Sequence, residues 1–274
     1  MATVADRFSF RERRPDMLSG TPRAHSIDRW IFVAMAAWFI VVVLVGFVPD
    51  AIGKVAAVKA GQRPPFPLVM HAHAIVMGSF LLLVLAQTWL MATGRRALHM
   101  QLGIAGMVLA AALVVVGFIL APTMYHQVWN GAHFGPPPVR QALAAAVPIV
   151  ENILLLQIAA GFMFALFITI ALVARDRDSG LHKRMVFLAI AVPLGAAIDR
   201  MEWLPTTMPW NPVGQDFYLL LAVAPMFLWD VIRNRRVHEA YRIWFPVFVA
   251  VSATVDLLWD TPWWHATARS IMGV

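Results

Sequence analysis

The chain's chemistry is bounded by its nine histidines, its fifteen acidic residues and its lack of cysteine. Without thiols there is no disulfide, thiolate-bound zinc, iron–sulfur cluster or cysteine nucleophile, so any metal must be held by imidazole, carboxylate or methionine. One group of such residues recurs at a common depth in apolar sequence. His71 and His73 follow Pro67, Glu151 and Asn152 follow Pro148, and Asp199, Arg200 and Glu202 precede Trp203. Asp256 and Asp260 close a further apolar run. Asp199 and Glu202 are spaced to share one helix face, as are Asp256 and Asp260. His71 and His73 are two apart, about 200° of rotation, so a regular helix cannot aim both at one ion. Together His71, His73, Glu151, Asp199 and Glu202 would suit a nitrogen and oxygen site for iron, copper, manganese or zinc, closed by His126 or His133. The same residues also fit internal glue, with Arg200 paired to Asp199 or Glu202 and the imidazoles bonded to Glu151 or Asn152. A proton path is a third use of them.

A second pair lies at the other side of the apolar runs. His99 sits in "GRRALHMQLG" and His182 in "SGLHKRM", at equal depth on two segments that run the same way. Two imidazoles facing each other across a bundle are the axial ligands of a b haem, and the neighbouring Arg95 and Arg184 could hold its propionates. The plainer use is contact with lipid phosphate at a helix end.

These residues are positioned by a chain that is 60% hydrophobic and only 14% charged, with mean hydropathy +0.70. Such a composition belongs to a membrane protein. Runs long enough to cross a hydrocarbon core of about 30 Å number seven. They cover approximately 30–48, 67–92, 102–121, 148–174, 185–203, 216–229 and 243–259. The predicted fold is all-α, an up-and-down bundle of seven transmembrane helices spanning 30–274, with a four-helix unit at about 67–203. Residues 1–29 form a basic arm without an apolar signal-peptide core, expected in the cytoplasm. The segment 122–147, with its run of three prolines, is expected as a long outer loop.

Charge sets the orientation. If the N-terminus is inside, sixteen of the 22 Lys and Arg residues fall on inner segments, the positive-inside pattern, which places the C-terminus outside in a bacterial cytoplasmic membrane. The net charge of +7 therefore points to topology and to the lipid bilayer as partner, and not to nucleic acid.

The stretch "HAHAIVMGSFLLLVLAQTWLMATGRRALHMQLGIAG", with the later "LHKRM" and Arg200, resembles uncharacterised bacterial polytopic membrane proteins with a domain of unknown function. More distantly it is similar to the four-helix core of transmembrane b-type cytochromes of the ferric reductase kind. In those cytochromes four histidines on four consecutive helices hold two haems. The resemblance implies haem ligation by His99 and His182, with His71 or His73 on the first core helix, while the fourth span of this chain carries no histidine. One haem fits that pattern; the outer one lacks its partner unless Glu151 or Asn152 marks another metal.

The expected function is a membrane redox protein with haem b or a non-haem metal, exchanging electrons with a quinol or an outer-face acceptor. The rival readings are a non-catalytic accessory or assembly subunit of a membrane complex and a proton-coupled or small-molecule transporter. Nucleotide loops and hydrolase motifs are absent, and whether the chain is an enzyme stays open.

Overall fold

A computed structural model describes residues 16–274. Residues 1–15, most of the expected N-terminal arm, lie outside the described residues. The described part is all-α: α1 (Ser26–Lys59), α2 (Leu68–Ala92), α3 (Arg96–Phe134), α4 (Pro137–Ala144), α5 (Ala146–Ala174), α6 (Ser179–Ile198), α7 (Val213–Asn234), α8 (Glu239–Leu258) and α9 (Pro262–Met272). Seven of these, all but α4 and α9, are long and apolar enough to cross a bilayer. The chain is a multi-pass membrane protein.

The bundle is built around α6. Two-thirds of its apolar window is buried, and α1, α5, α7 and α8 all pack against it. The helix tightens into a 3-10 turn at Val192–Leu194 around Pro193 and then continues, which a membrane tolerates because the freed backbone is enclosed by protein. Just beyond, α1 crosses very closely: a Cβ on Gly46 would lie 2.1 Å from the Ala197 carbonyl oxygen. Small residues at such a crossing let backbones approach where no hydrophobic driving force operates between helices. The α2–α3 hairpin packs on α1 and α5 and leaves one side to lipid, with Leu82, Val108 and Phe118 on the outside.

Three boundaries differ from the sequence expectation. The expected outer loop 122–147 is largely helical: α3 runs through Pro122 to Phe134, and α4 follows from Pro137. An interior proline removes an amide donor and strains the helix, but in a membrane-spanning helix neighbouring helices and local adjustment satisfy the freed backbone group, so the helix continues. At 39 residues α3 is about 58 Å long, nearly twice a hydrocarbon core. Second, α6 starts six residues before the expected Met185, capped by the Asp178 side chain, which accepts from the Leu181 amide at 2.9 Å. Third, the short sixth run is a full 22-residue helix, because polar groups at its ends, the Val213 and Gly214 amides and the Asp230 and Asn234 side chains, are satisfied by neighbours and need not leave the helix.

Candidate functional site

The turns α2–α3, α5–α6 and α7–α8 meet at one end of the bundle, together with the start of α1. Two buried acid–base groups hold this basic end. Arg184 and Asp230 have side chains with 0% exposure; the Arg184 Nε donates to Asp230, Nη2 donates to Asp230 Oδ1 at 2.9 Å, and Nη1 and Nη2 reach Asp16 at 2.9 and 2.8 Å. Nη1 also donates to the Gly180 carbonyl at 3.0 Å. Asn234 Nδ2 donates to Asp230 at 2.6 Å, and Lys183 pairs with Asp16 at 2.7 Å. Burial raises the Asp16 carboxyl, but its bonds to Arg184 and Lys183 outweigh that and hold it well below the usual carboxylate range. A second buried carboxylate, Asp28, takes Arg233 and the Trp229 indole N–H at 2.7 and 2.9 Å. Asp16 thereby staples the chain before α1 to α6 and α7. Arg184, expected beside a haem propionate, has its guanidinium fully committed to this cluster. Arg95 is an exposed residue capping α3.

His99 and His182 stand at the same end, near the starts of α3 and α6. His99 Nδ1 is 3.3 Å from the Gln87 carbonyl of α2, and His182 Nδ1 is 2.8 Å from the Ala171 carbonyl of α5. A carbonyl has no proton to give, so each Nδ1 carries the hydrogen and each Nε2 holds a free lone pair. Arg175, with Arg177, Thr169, Leu172, Val173 and Met107, lines an open cavity of about 410 Å³ between α3 and α5.

The opposite end has a different centre from the expected one. Glu151, with 0% exposure, is the hub. Its Oε1 accepts from Arg269 Nε at 2.7 Å, and its Oε2 lies 2.7 Å from His265 Nδ1. Its backbone carbonyl accepts the Trp264 indole N–H at 2.8 Å. All three partners belong to α9, so one residue of α5 anchors the terminal helix. His265 Nε2 in turn meets Asp260 Oδ1 at 3.1 Å, and Asn152 Oδ1 accepts the Asp260 backbone N–H at 3.1 Å. Beneath the pair, Tyr125 is stacked on Trp129 at 6.0 Å, and Arg269 lies 5.6 Å over the Trp129 ring. His133 stacks on Trp129 at 4.0 Å and His126 meets Tyr125 edge-on at 5.7 Å.

The other residues of the expected outer layer are dispersed. His71 is exposed, with its ring perpendicular to Phe66 at 6.0 Å. His73 turns inward, its Nδ1 buried without a hydrogen-bond partner, as the 200° separation requires. Asp199 and Glu202 are exposed. Arg200 pairs with neither of them: it reaches Asp50 of α1 at 3.3 Å and covers the Phe47 ring at 4.6 Å. Among the described residues no three His, Asp or Glu side chains gather as a metal-holding group. The layer is not connected because α6 ends at Ile198, which carries Asp199 and Glu202 beyond the helix and away from Glu151.

Three functional-looking groups escaped the sequence reading: Asp230 as the partner of Arg184, and His265 and Arg269 as partners of Glu151. Asp230 stands inside an apolar run, which by itself marks a residue in need of a cation. The pairing across about 46 and 118 residues of sequence leaves no local pattern to read.

Comparison with family models, with curated proteins and with solved structures gives no match for this chain.

Proposed function

We propose that this is a membrane redox protein in which His99 and His182 hold one b-type haem at the basic end of the bundle, exchanging electrons with a quinol. The observation that carries the reading is the arrangement of the two rings, each with Nδ1 on a neighbouring helix's carbonyl and Nε2 left with its lone pair. Metal-bound histidine is fixed in just this way, the second nitrogen's hydrogen bond setting the tautomer and the ring plane. The donor set fits haem iron: two neutral imidazoles at one depth on helices α3 and α6, which run in the same direction. Bound there, the haem would supply one-electron chemistry. The chain's part is to orient the two imidazoles, to exclude water, and to offer a cation to the propionates. Arg175 suits the last task better than Arg184, since its pairing with Asp176 is exposed to solvent and it borders an open cavity.

The reading includes an orientation, with the basic end in the cytoplasm and the Glu151 end outside, supported by the bias of Lys and Arg towards the basic end. The direct test of ligation is the visible spectrum of purified protein. Sharp bands in the reduced state that vanish in His99→Ala and in His182→Ala, but persist in His71→Ala, are expected. Bands that survive both ligand changes would remove the assignment.

A further inference from the structure

The open cavity of about 410 Å³ between α3 and α5 has walls of two kinds. Met107, Leu172 and Val173 form an apolar side, and Arg175, Asp176 and Arg177 form a polar rim. The apolar side continues as lipid-facing surface: Val173 is 66% exposed, and Ile104 and Val108, flanking Met107 on α3, are 62% and 63% exposed. The rim stands just past the last residue of α5, where a spanning helix leaves the hydrocarbon. An acyl chain has room along the wall while a headgroup sits at the rim.

The cations of the rim are short of partners. Among the described residues Arg177 makes no side-chain hydrogen bond and no ion pair. Arg175 donates from Nε to Asp176 at 3.1 Å, a pair with both side chains exposed, and its Nη1 ends on the Met107 sulfur at 2.7 Å. A thioether is a weak acceptor, so a guanidinium that crosses to α3 and meets only sulfur there is poorly satisfied. Two arginines against one aspartate leave the rim positive. Arginines at a helix C-terminus also complement its dipole, but that use calls for neither a cavity nor an apolar wall.

We propose that this cavity binds one anionic phospholipid, with its phosphate held by Arg177 and an acyl chain laid along Val173, Ile104 and Val108. Charge selects the headgroup, because a zwitterionic lipid would bring its own cation against the arginines. Basic pockets between membrane helices on the cytoplasmic side take anionic headgroups, and the proposed orientation gives this end that leaflet. Arg175 adds positive potential from the wall and stays available to a haem propionate. The lipid site does not rest on the haem reading.

Native mass spectrometry of the intact, delipidated protein tests it, by titration with phosphatidylglycerol or with phosphatidylcholine of the same acyl chains. One phosphatidylglycerol per chain is expected to bind more tightly than phosphatidylcholine. Arg177→Gln should weaken it about fivefold, the size expected for one arginine at a headgroup, and the double change with Arg175→Gln should weaken it further. Both side chains are exposed, so the variants should unfold at the wild-type temperature. Arg140→Gln, at an exposed arginine of α4, and His182→Ala should keep the lipid, which separates this site from the haem ligands. Equal affinity for the two lipids would mean ordinary bilayer contact and overturn the proposal. Undiminished binding in Arg177→Gln, or displacement of the lipid by millimolar inorganic phosphate, which would mark a site for free anions, overturns it as well.

Discussion

A single nitrogen decides what His238 does at low pH. It caps α8 with Nδ1, which accepts the Ala240 amide N–H at 3.1 Å, and it packs on Gly180 beside Arg184. Burial, followed by the Arg184 charge, pushes its pKa down to about 4, while Asp230, Asp16 and Asp178 pull the other way. The folded protein therefore holds this ring neutral where the unfolded chain, with a pKa of about 6.5, protonates it. Its contribution is fully present above the unfolded value and is lost as pH falls from there towards the folded one, on the order of 1 to 3 kcal/mol. Asp16 works in a lower window, because its carboxyl is held down and its pairing fails only below the carboxylate range. Thermal unfolding in detergent between pH 7 and 4.5 should show wild type losing several degrees. His238→Asn, which still accepts the Ala240 amide but cannot titrate, should lose much less. An identical slope in both proteins would contradict the assignment. At this scale the sequence was informative about which residues mattered and poor about their partners. Glu151 stands out as a costly group in apolar sequence, and His99, His182 and Arg184 as a matched set at the ends of the apolar runs, whereas their contacts with Gln87, Ala171, His265, Arg269 and Asp230 arise only when distant helices pack.

The elements show the same division for another reason. Hydrophobic runs of membrane length revealed all seven spanning helices, because a bilayer demands about 20 apolar residues whatever the neighbours are. Helix ends were harder. Nothing in the run 122–147 announces that α3 continues past Pro122, and Asp178 as the cap of α6 becomes visible only with the Leu181 amide in place. Close crossings were also silent, since Gly46 and Gly53 look alike in α1. The structure separates them: a Cβ at Gly46 meets the Ala197 backbone at 2.1 Å, while one at Gly53 meets nothing within 4 Å. Backbone cannot yield as a flexible side chain does, so Gly46→Ala must part α1 from α6. It is expected to cost about 1 to 3 kcal/mol, the range for overpacking. Gly53→Ala should be neutral or slightly stabilising, as expected for alanine in a helix. Unfolding midpoints of the two variants check this, and equal midpoints would show that the crossing is looser than described.

For the whole molecule, the two ends carry different chemistry on one scaffold. The basic end has the paired imidazoles and the Arg184 cluster, and the other end has the Glu151 hub under α9. The orientation proposed for them is tested by reporter fusions: an alkaline phosphatase joined after Gln62 or Gly131 should be active and one joined after Gly94 or Ser179 silent, with the reverse pattern sinking it. The bundle's lipid-facing exterior and its all-α plan follow from composition alone; a haem on His99 and His182 does not, because two histidines serve equally as haem ligands or as helix-end hydrogen-bond donors. The measurement that reaches this question most directly is electron paramagnetic resonance of purified, oxidised protein alongside its haem-to-protein ratio. The proposed function predicts one haem per chain with the low-spin ferric signal of two axial imidazoles, converted to a high-spin signal or lost in His182→Ala. Protein that folds with its Arg184 cluster intact but carries no haem, or carries one whose signal is indifferent to His99 and His182, would contradict it.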